Sequence, residues 1–170
     1  PGELPQPGYD RGFDTLTLVQ TGGVTHTSDT YSVGPQIGSG THVIVSPGGA
    51  TQTIFFEELE PVIDTVPAIT QIVNATAEAN AITYTQGGLV ANGKVTIDNY
   101  ESIEFSNKTN LAINALGGND TVQLNNASAP AGLTQIAMDG GDGSDVITTG
   151  VDVPVPLQLT GGADNDTLDA

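Results

Sequence analysis

Cysteine and tryptophan are absent from this chain, and basic residues are nearly so: Arg11, Lys94 and Lys108 are the only three in 170 positions. Without thiols there is no disulfide framework, no zinc–thiolate site and no cysteine nucleophile. With so few cations no surface can neutralise nucleic-acid phosphates or draw the chain to an anionic membrane. No apolar run approaches the roughly 20 residues that cross a bilayer as a helix, and nothing has the pattern of a signal peptide. Aromatic residues make up only 5%, which leaves few rings for a sugar-binding platform. A small secreted eukaryotic domain without disulfides is unusual, whereas an exported bacterial protein held together by calcium does without them.

What is abundant is acid, glycine and threonine. Twenty Asp and Glu give a formal net charge of -17, and a compact state with that excess repels itself unless cations bind. The length suits one elongated domain, and the residue usage suits thin sheets joined by tight turns more than a helical bundle. The opening, residues 1–8, is rich in Pro and Gly and reads as an extended linker on a processed or excised piece. A degenerate β-rich region follows over 9–111, then a clearer repeat region over 112–170.

Strand-like runs recur throughout: Thr15–Val19, Thr41–Val45, Ala81–Thr85, Lys94–Ile97 and Leu157–Thr160, bounded by Gly, Asn or Pro. Asn74–Asn80 is the one stretch that could make a helical turn. The tripeptide Asp-Thr-apolar appears at Asp14, Asp29, Asp64, Asp120 and Asp166, with a looser copy at Asp145. A longer similarity relates Ile54–Glu60 to Asn99–Glu104 at an offset of 44.

The strongest signal is a glycine–aspartate turn written three times, at Ala115–Val122, Gly140–Ile147 and Gly161–Leu168. Glycines at the first, second and fourth positions allow positive φ and leave carbonyls free to face an ion. The aspartate at the sixth position (Asp120, Asp145, Asp166) adds a hard carboxylate oxygen, and calcium takes about six to eight oxygens. The apolar residue two places on (Val122, Ile147, Leu168) starts a strand directed at the core. One loop cannot complete the shell, but two stacked loops can, so three loops imply about two sites.

Gly140-Gly141-Asp142-Gly143-Ser144-Asp145-Val146-Ile147-Thr148 resembles the G-G-x-G-x-D-x-U-x nonapeptide of the RTX, or haemolysin-type, calcium-binding repeats. The first copy departs from it at Ala115 and Leu116, the third at Asp164. The resemblance implies an all-β, parallel β-roll-like solenoid with calcium between turns, in an exported toxin, enzyme, adhesin or surface protein. Its implied ligand set here is Gly117, Asn119, Asp120, Gly140, Asp142, Asp145, Gly161, Ala163, Asp164 and Asp166. Nonapeptides in that family follow without a break. The sixth-position aspartates here are 25 and 21 residues apart, which points to a wider parallel β-helix with one Gly-Asp turn per coil.

Other chemistry has less in its favour. His26 and His42 lie in threonine-rich runs and read as surface residues of strands. Asp14, Asp29 and Asp64 lack the glycines and read as turn-capping relics. There is no G-x-S-x-G elbow and no phosphate loop. The acidic strands Glu57–Glu60 and Glu101–Glu104 could place two carboxylates across a sugar, which keeps open a β-helical carbohydrate-active enzyme, or its accessory domain, acting on polysaccharide. The favoured expectation is a non-enzymatic, calcium-binding structural or adhesive module, extracellular or on a bacterial cell surface. The third repeat runs out at Asp169-Ala170, which predicts further repeats or neighbouring copies stacked end to end.

Overall fold

The computed structural model describes residues 14–59 and 61–170. The expected linker at 1–8, the lead-in Asp10–Phe13 and Glu60 lie outside them. Fifteen strands and no helix occur among the described residues: β1 (Leu16–Leu18), β2 (His26–Val33), β3 (Ser39–Val45), β4 (Thr51–Glu57), β5 (Val62–Asp64), β6 (Ala68–Asn74), β7 (Ala81–Gln86), β8 (Gly93–Ile97), β9 (Ile103–Phe105), β10 (Lys108–Asn114), β11 (Thr121–Leu124), β12 (Gln135–Asp142), β13 (Val146–Thr149), β14 (Leu157–Ala163) and β15 (Thr167–Asp169).

They form two mixed sheets. One has eight strands in the order β1-β5-β9-β8-β7-β11-β13-β15, the other seven in the order β14-β12-β10-β6-β2-β3-β4. From β9 onward the chain goes to the seven-stranded sheet (β10), back (β11), across again (β12), and so on to β15. Each arrival lies parallel to the previous visit: β6, β10, β12 and β14 on one side, β7, β11, β13 and β15 on the other. Antiparallel pairing is confined to β2–β3–β4 and β7–β8–β9.

The alternation of side chains along each strand explains the two layers. In β10, Leu111 and Ile113 face inward, and in β12 their neighbours in register, Ile136 and Met138, do the same; all four are buried. From the opposite sheet Tyr84, Val122, Leu124 and Ile147 meet them in one core that also holds Val62, Val73, Ile103 and Phe105. Each such side chain contributes about 1.5–3 kcal/mol through removal from water. With both faces of a strand period so clearly marked, a slip of one residue would turn the core outward.

Registers carry the repeat. Leu111 pairs with Gln71 forty residues earlier and with Ile136 twenty-five later, and Ile136 pairs with Leu157 twenty-one later. The last two intervals are those of the glycine–aspartate turns. The similarity at an offset of 44 has no such counterpart: Ile54–Glu57 belongs to β4 of the seven-stranded sheet and Ile103–Phe105 is β9 of the other. An aromatic-Glu-x-aliphatic pattern is one that a half-buried strand can produce, and here the two copies fall in different sheets. The helical turn anticipated at Asn74–Asn80 is not formed. Asn74 ends β6, and a turn follows in which Asn80 Oδ1 accepts from both the Thr76 N–H and its hydroxyl.

Candidate metal column and a buried charge cluster

The three glycine–aspartate turns lie one above another where the chain crosses from β10 to β11, β12 to β13 and β14 to β15. Their third positions align, Gly117 with Asp142 and Asp142 with Ala163, as do Gly141 and Gly162. Positive φ falls at the second and fourth positions of all three: Leu116 (78°), Gly141 (94°) and Gly162 (110°), then Gly118 (98°), Gly143 (129°) and Asp164 (74°). The turn geometry therefore persists at Leu116 and Asp164, where glycine has been replaced and the left-handed conformation costs roughly 1–2 kcal/mol. First-position glycine has another reason. A Cβ on Gly140 would collide with the Asp145 carboxylate and the Gly161 carbonyl, and one on Gly161 with the Asp166 carboxylate.

The sixth-position aspartates form a ladder. Asp166 Oδ1 accepts the Asp145 N–H at 3.0 Å, Asp145 Oδ1 accepts the Asp120 N–H at 2.8 Å, and Asp120 Oδ1 accepts the Asn80 N–H at 2.7 Å. Each carboxylate thus caps the neighbouring turn rather than its own. Asp120 and Asp145 are both 1% exposed, and the second oxygen of each, Oδ2, is buried with no hydrogen-bond partner. Burial pushes the Asp120 carboxyl up to about 6, the Asn80 N–H pulling the other way and the charges of Asp145 and Asp98 adding to the rise. A buried carboxylate oxygen without a donor is costly, and two in one column, next to crowded backbone carbonyls, form an all-oxygen donor set of the kind a hard cation takes.

The ten expected ligands fall into two groups. Asp120, Asp145 and the half-buried Asp166 converge in the ladder, with Gly117, Gly140 and Gly161 supplying close backbone. The side chains of Asn119, Asp142, Ala163 and Asp164 are exposed on the rim, and Asn119 Oδ1 is engaged by the Ser144 N–H at 2.9 Å. Val122 and Ile147 are fully buried as expected, while Leu168, in the outermost strand β15, is 47% exposed. Asp98 was not anticipated: its two carboxylate oxygens accept from the Ala81 N–H and Asn80 Nδ2, both at 2.7 Å, next to the foot of the ladder.

A second acidic group lies in the N-terminal half. Asp29 (β2), His42 (β3), Asp64 (end of β5) and Lys108 (start of β10) are all at most 1% exposed. Lys108 Nζ donates to Asp29 Oδ2, to Asp64 Oδ2 (2.8 Å) and to the Val66 carbonyl (2.5 Å). His42 Nε2 stands 3.2 Å from Asp64 Oδ2. Asp64 Oδ1 accepts the Val66 N–H at 2.8 Å. Burial raises Asp29 to about 6, with the charge of Asp64 adding and Lys108 opposing. Burial would raise Asp64 as well, but His42 and Lys108 outweigh it and hold its carboxyl below the usual value.

This corrects two expectations. His42 is not a surface residue, since β3 turns it inward to Asp64. Asp29 is no turn cap, and Asp64 caps Val66 only as one part of a buried network. Ligand atoms of Asp29, His42 and Asp64 lie within 4.8 Å of one another, a spacing that suits a metal. Lys108 bonds to both carboxylates there and supplies the positive charge that an ion would bring. Glu101 and Glu104 line a hollow together with Lys94 and Tyr100, and Glu57 is not among its lining residues.

No family model, curated protein or solved structure matches the chain.

Proposed function

We propose that this chain is a calcium-stabilised β-solenoid module, RTX-like in its turns but with one glycine–aspartate turn per wide coil. It serves a structural or adhesive role in an exported or cell-surface bacterial protein. The observation that carries this reading is the pair of orphaned buried oxygens, Asp120 Oδ2 and Asp145 Oδ2, in a column whose Oδ1 atoms are each already committed to one N–H. Asp120, Asp145 and Asp166, with backbone carbonyls of the glycine turns, would hold the ions. The bound cation would supply positive charge between carboxylates that otherwise repel.

The solenoid part of the reading is supported by matching intervals: turns and strand registers advance together by 25 and then 21 residues. Calcium at about millimolar concentration outside a cell would then favour the folded coils, and its scarcity inside would leave them loose. Calorimetric titration with calcium, paired with thermal melts in calcium and in EDTA, tests the proposal. A melting temperature that rises with calcium, and loses that rise in Asp145→Ala but not in Asp29→Ala, is the expected outcome. Identical melts in calcium and EDTA would remove the metal from the account.

A further inference from the structure

The buried cluster around Lys108 has a use that calcium does not touch. An ammonium and two carboxylates sealed from water are expensive to maintain as ions, and here the two carboxylates that the lysine meets are unequally engaged by their other neighbours. We propose that Lys108 and Asp29 join spontaneously in an intramolecular amide, Nζ to Cγ, with Asp64 as the group that shuttles the proton.

The two carboxylates are not equivalent. Both Asp64 oxygens are engaged, Oδ1 by the Val66 N–H and Oδ2 by Lys108 and His42. Asp29 Oδ1 has no hydrogen-bond donor, and Oδ2 accepts from Lys108 with the Asp64 carboxyl close by. Asp29 is therefore the carboxyl free to be protonated and attacked, and its elevated pKa agrees with this. Asp64, held as the anion, is the base. His42 positions it from β3.

The step balances without any other reactant. A proton passes from the Lys108 ammonium to the Asp29 carboxylate, leaving an amine and a carboxylic acid. The nitrogen lone pair adds to Cγ. Asp64 takes a proton from the nitrogen and returns it to a hydroxyl on Cγ, which departs as water. Ammonium plus carboxylate has become amide plus water, and net charge is unchanged. Fixed contact between the reacting groups replaces a bimolecular encounter, an advantage that reaches effective concentrations of about 10⁵–10⁸ M. The burial that favours neutral products also excludes the water that would reverse the reaction.

The bond would span 79 residues of sequence and tie β2 to β10 across the intervening β6. In a chain with no cysteine it would do what a disulfide does, closing a long loop and restricting the unfolded chain, in a form that reductants cannot open.

Intact mass of the purified full chain is the first readout: the expected value is the sequence mass less one water. Trypsin gives the second, because Arg11, Lys94 and Lys108 are the only cleavage points. An acylated Lys108 is not cut, so residues 12–94 should remain joined to 95–170 in a branched product, with fragmentation placing the branch at Asp29. Sequence mass with a free 109–170 peptide would overturn the proposal, as would a lost water confined to one linear peptide. A branch at Asp64 would overturn the choice of acceptor. Asp64→Asn, checked for strand content by circular dichroism, should carry the full sequence mass; a crosslinked Asp64→Asn would remove Asp64 from the mechanism.

Discussion

The two halves of this molecule bury aspartates in opposite ways. In the N-terminal half Asp29 and Asp64 share an internal cation, Lys108, that arrives from a strand far along the chain. In the C-terminal half Asp120 and Asp145 are equally buried, yet each is given one backbone N–H and nothing for its second oxygen. The first arrangement carries its own cation, although Asp29 Oδ1 is left without a hydrogen-bond partner. The second has no lysine, arginine or histidine within salt-bridge distance among the described residues. The comparison teaches that a strongly acidic protein need not treat its buried acids uniformly: both groups leave a carboxylate oxygen without a donor, but only one of them has a lysine among its carboxylates.

The largest expected effect comes from breaking the first half. Lys108→Met leaves two buried carboxylates without their cation and should cost about 3–5 kcal/mol in denaturant unfolding, in calcium and EDTA alike. Asp145→Ala strikes the second half. It strands the Asp120 N–H and removes an orphaned oxygen, so in saturating calcium a loss of about 2–3 kcal/mol is expected. In EDTA the loss should be smaller, because a repelling charge has gone too. Equal losses in both conditions would erase the contrast between the halves.

Backbone substitutions sharpen the same contrast. Gly141→Ala places a Cβ against the Leu116 carbonyl at a φ of 94° and should destabilise by about 1–3 kcal/mol. Leu116→Gly does the reverse at the equivalent position of the first turn, where an exposed leucine holds a φ of 78°. It should stabilise by about 1 kcal/mol, and a loss would show that the leucine side chain contributes more than its strain costs. The smallest effect concerns the shared core. Burial raises Tyr84 to about 12 and Tyr31 higher still, and the Tyr31 hydroxyl donates to the Glu101 carbonyl at 2.5 Å. The folded state keeps these protons while the unfolded state loses them from about pH 10. Stability should therefore be unaffected below pH 10 and fall from there to about 12. Tyr84→Phe should reduce that slope by one proton, measured by denaturant unfolding across alkaline pH.

The column was legible in the sequence because its information is local. A turn that needs positive φ at two places and a carboxylate two residues after the second leaves glycines and an aspartate at fixed spacing, and the intervals between copies equal the strand registers. Even so, the reason for first-position glycine, close approach by a carboxylate rather than φ, appears only in three dimensions. The Lys108 cluster left no such trace. Its members come from β2, β3, β5 and β10, and nothing in the neighbourhood of His42 in sequence separates a buried partner of Asp64 from a surface residue on an alternating strand. The best available hint was compositional: a lone lysine opening an apolar strand in a chain with three basic residues. The antiparallel excursions through β3–β4 and β7–β8 were hidden for a related reason, since a strand's own residues record which face is buried but not the direction of its neighbour.

The aspartate ladder also has a polarity. In every rung the later turn brings the acceptor and the earlier turn the donor, from Asp166 down to Asn80. At Asn80, which stands in register one place before Ala81 as Asp120 stands before Thr121, the pattern meets a neutral amide whose side chain turns aside to Thr76 and Asp98. The column is therefore terminated at Asn80, and its bonds all run one way. Detaching the Asp166 turn exposes the Asp145 amide, whose release in turn loosens Asp120. Amide exchange would be fastest at Asp145, slower at Asp120 and slowest at Asn80.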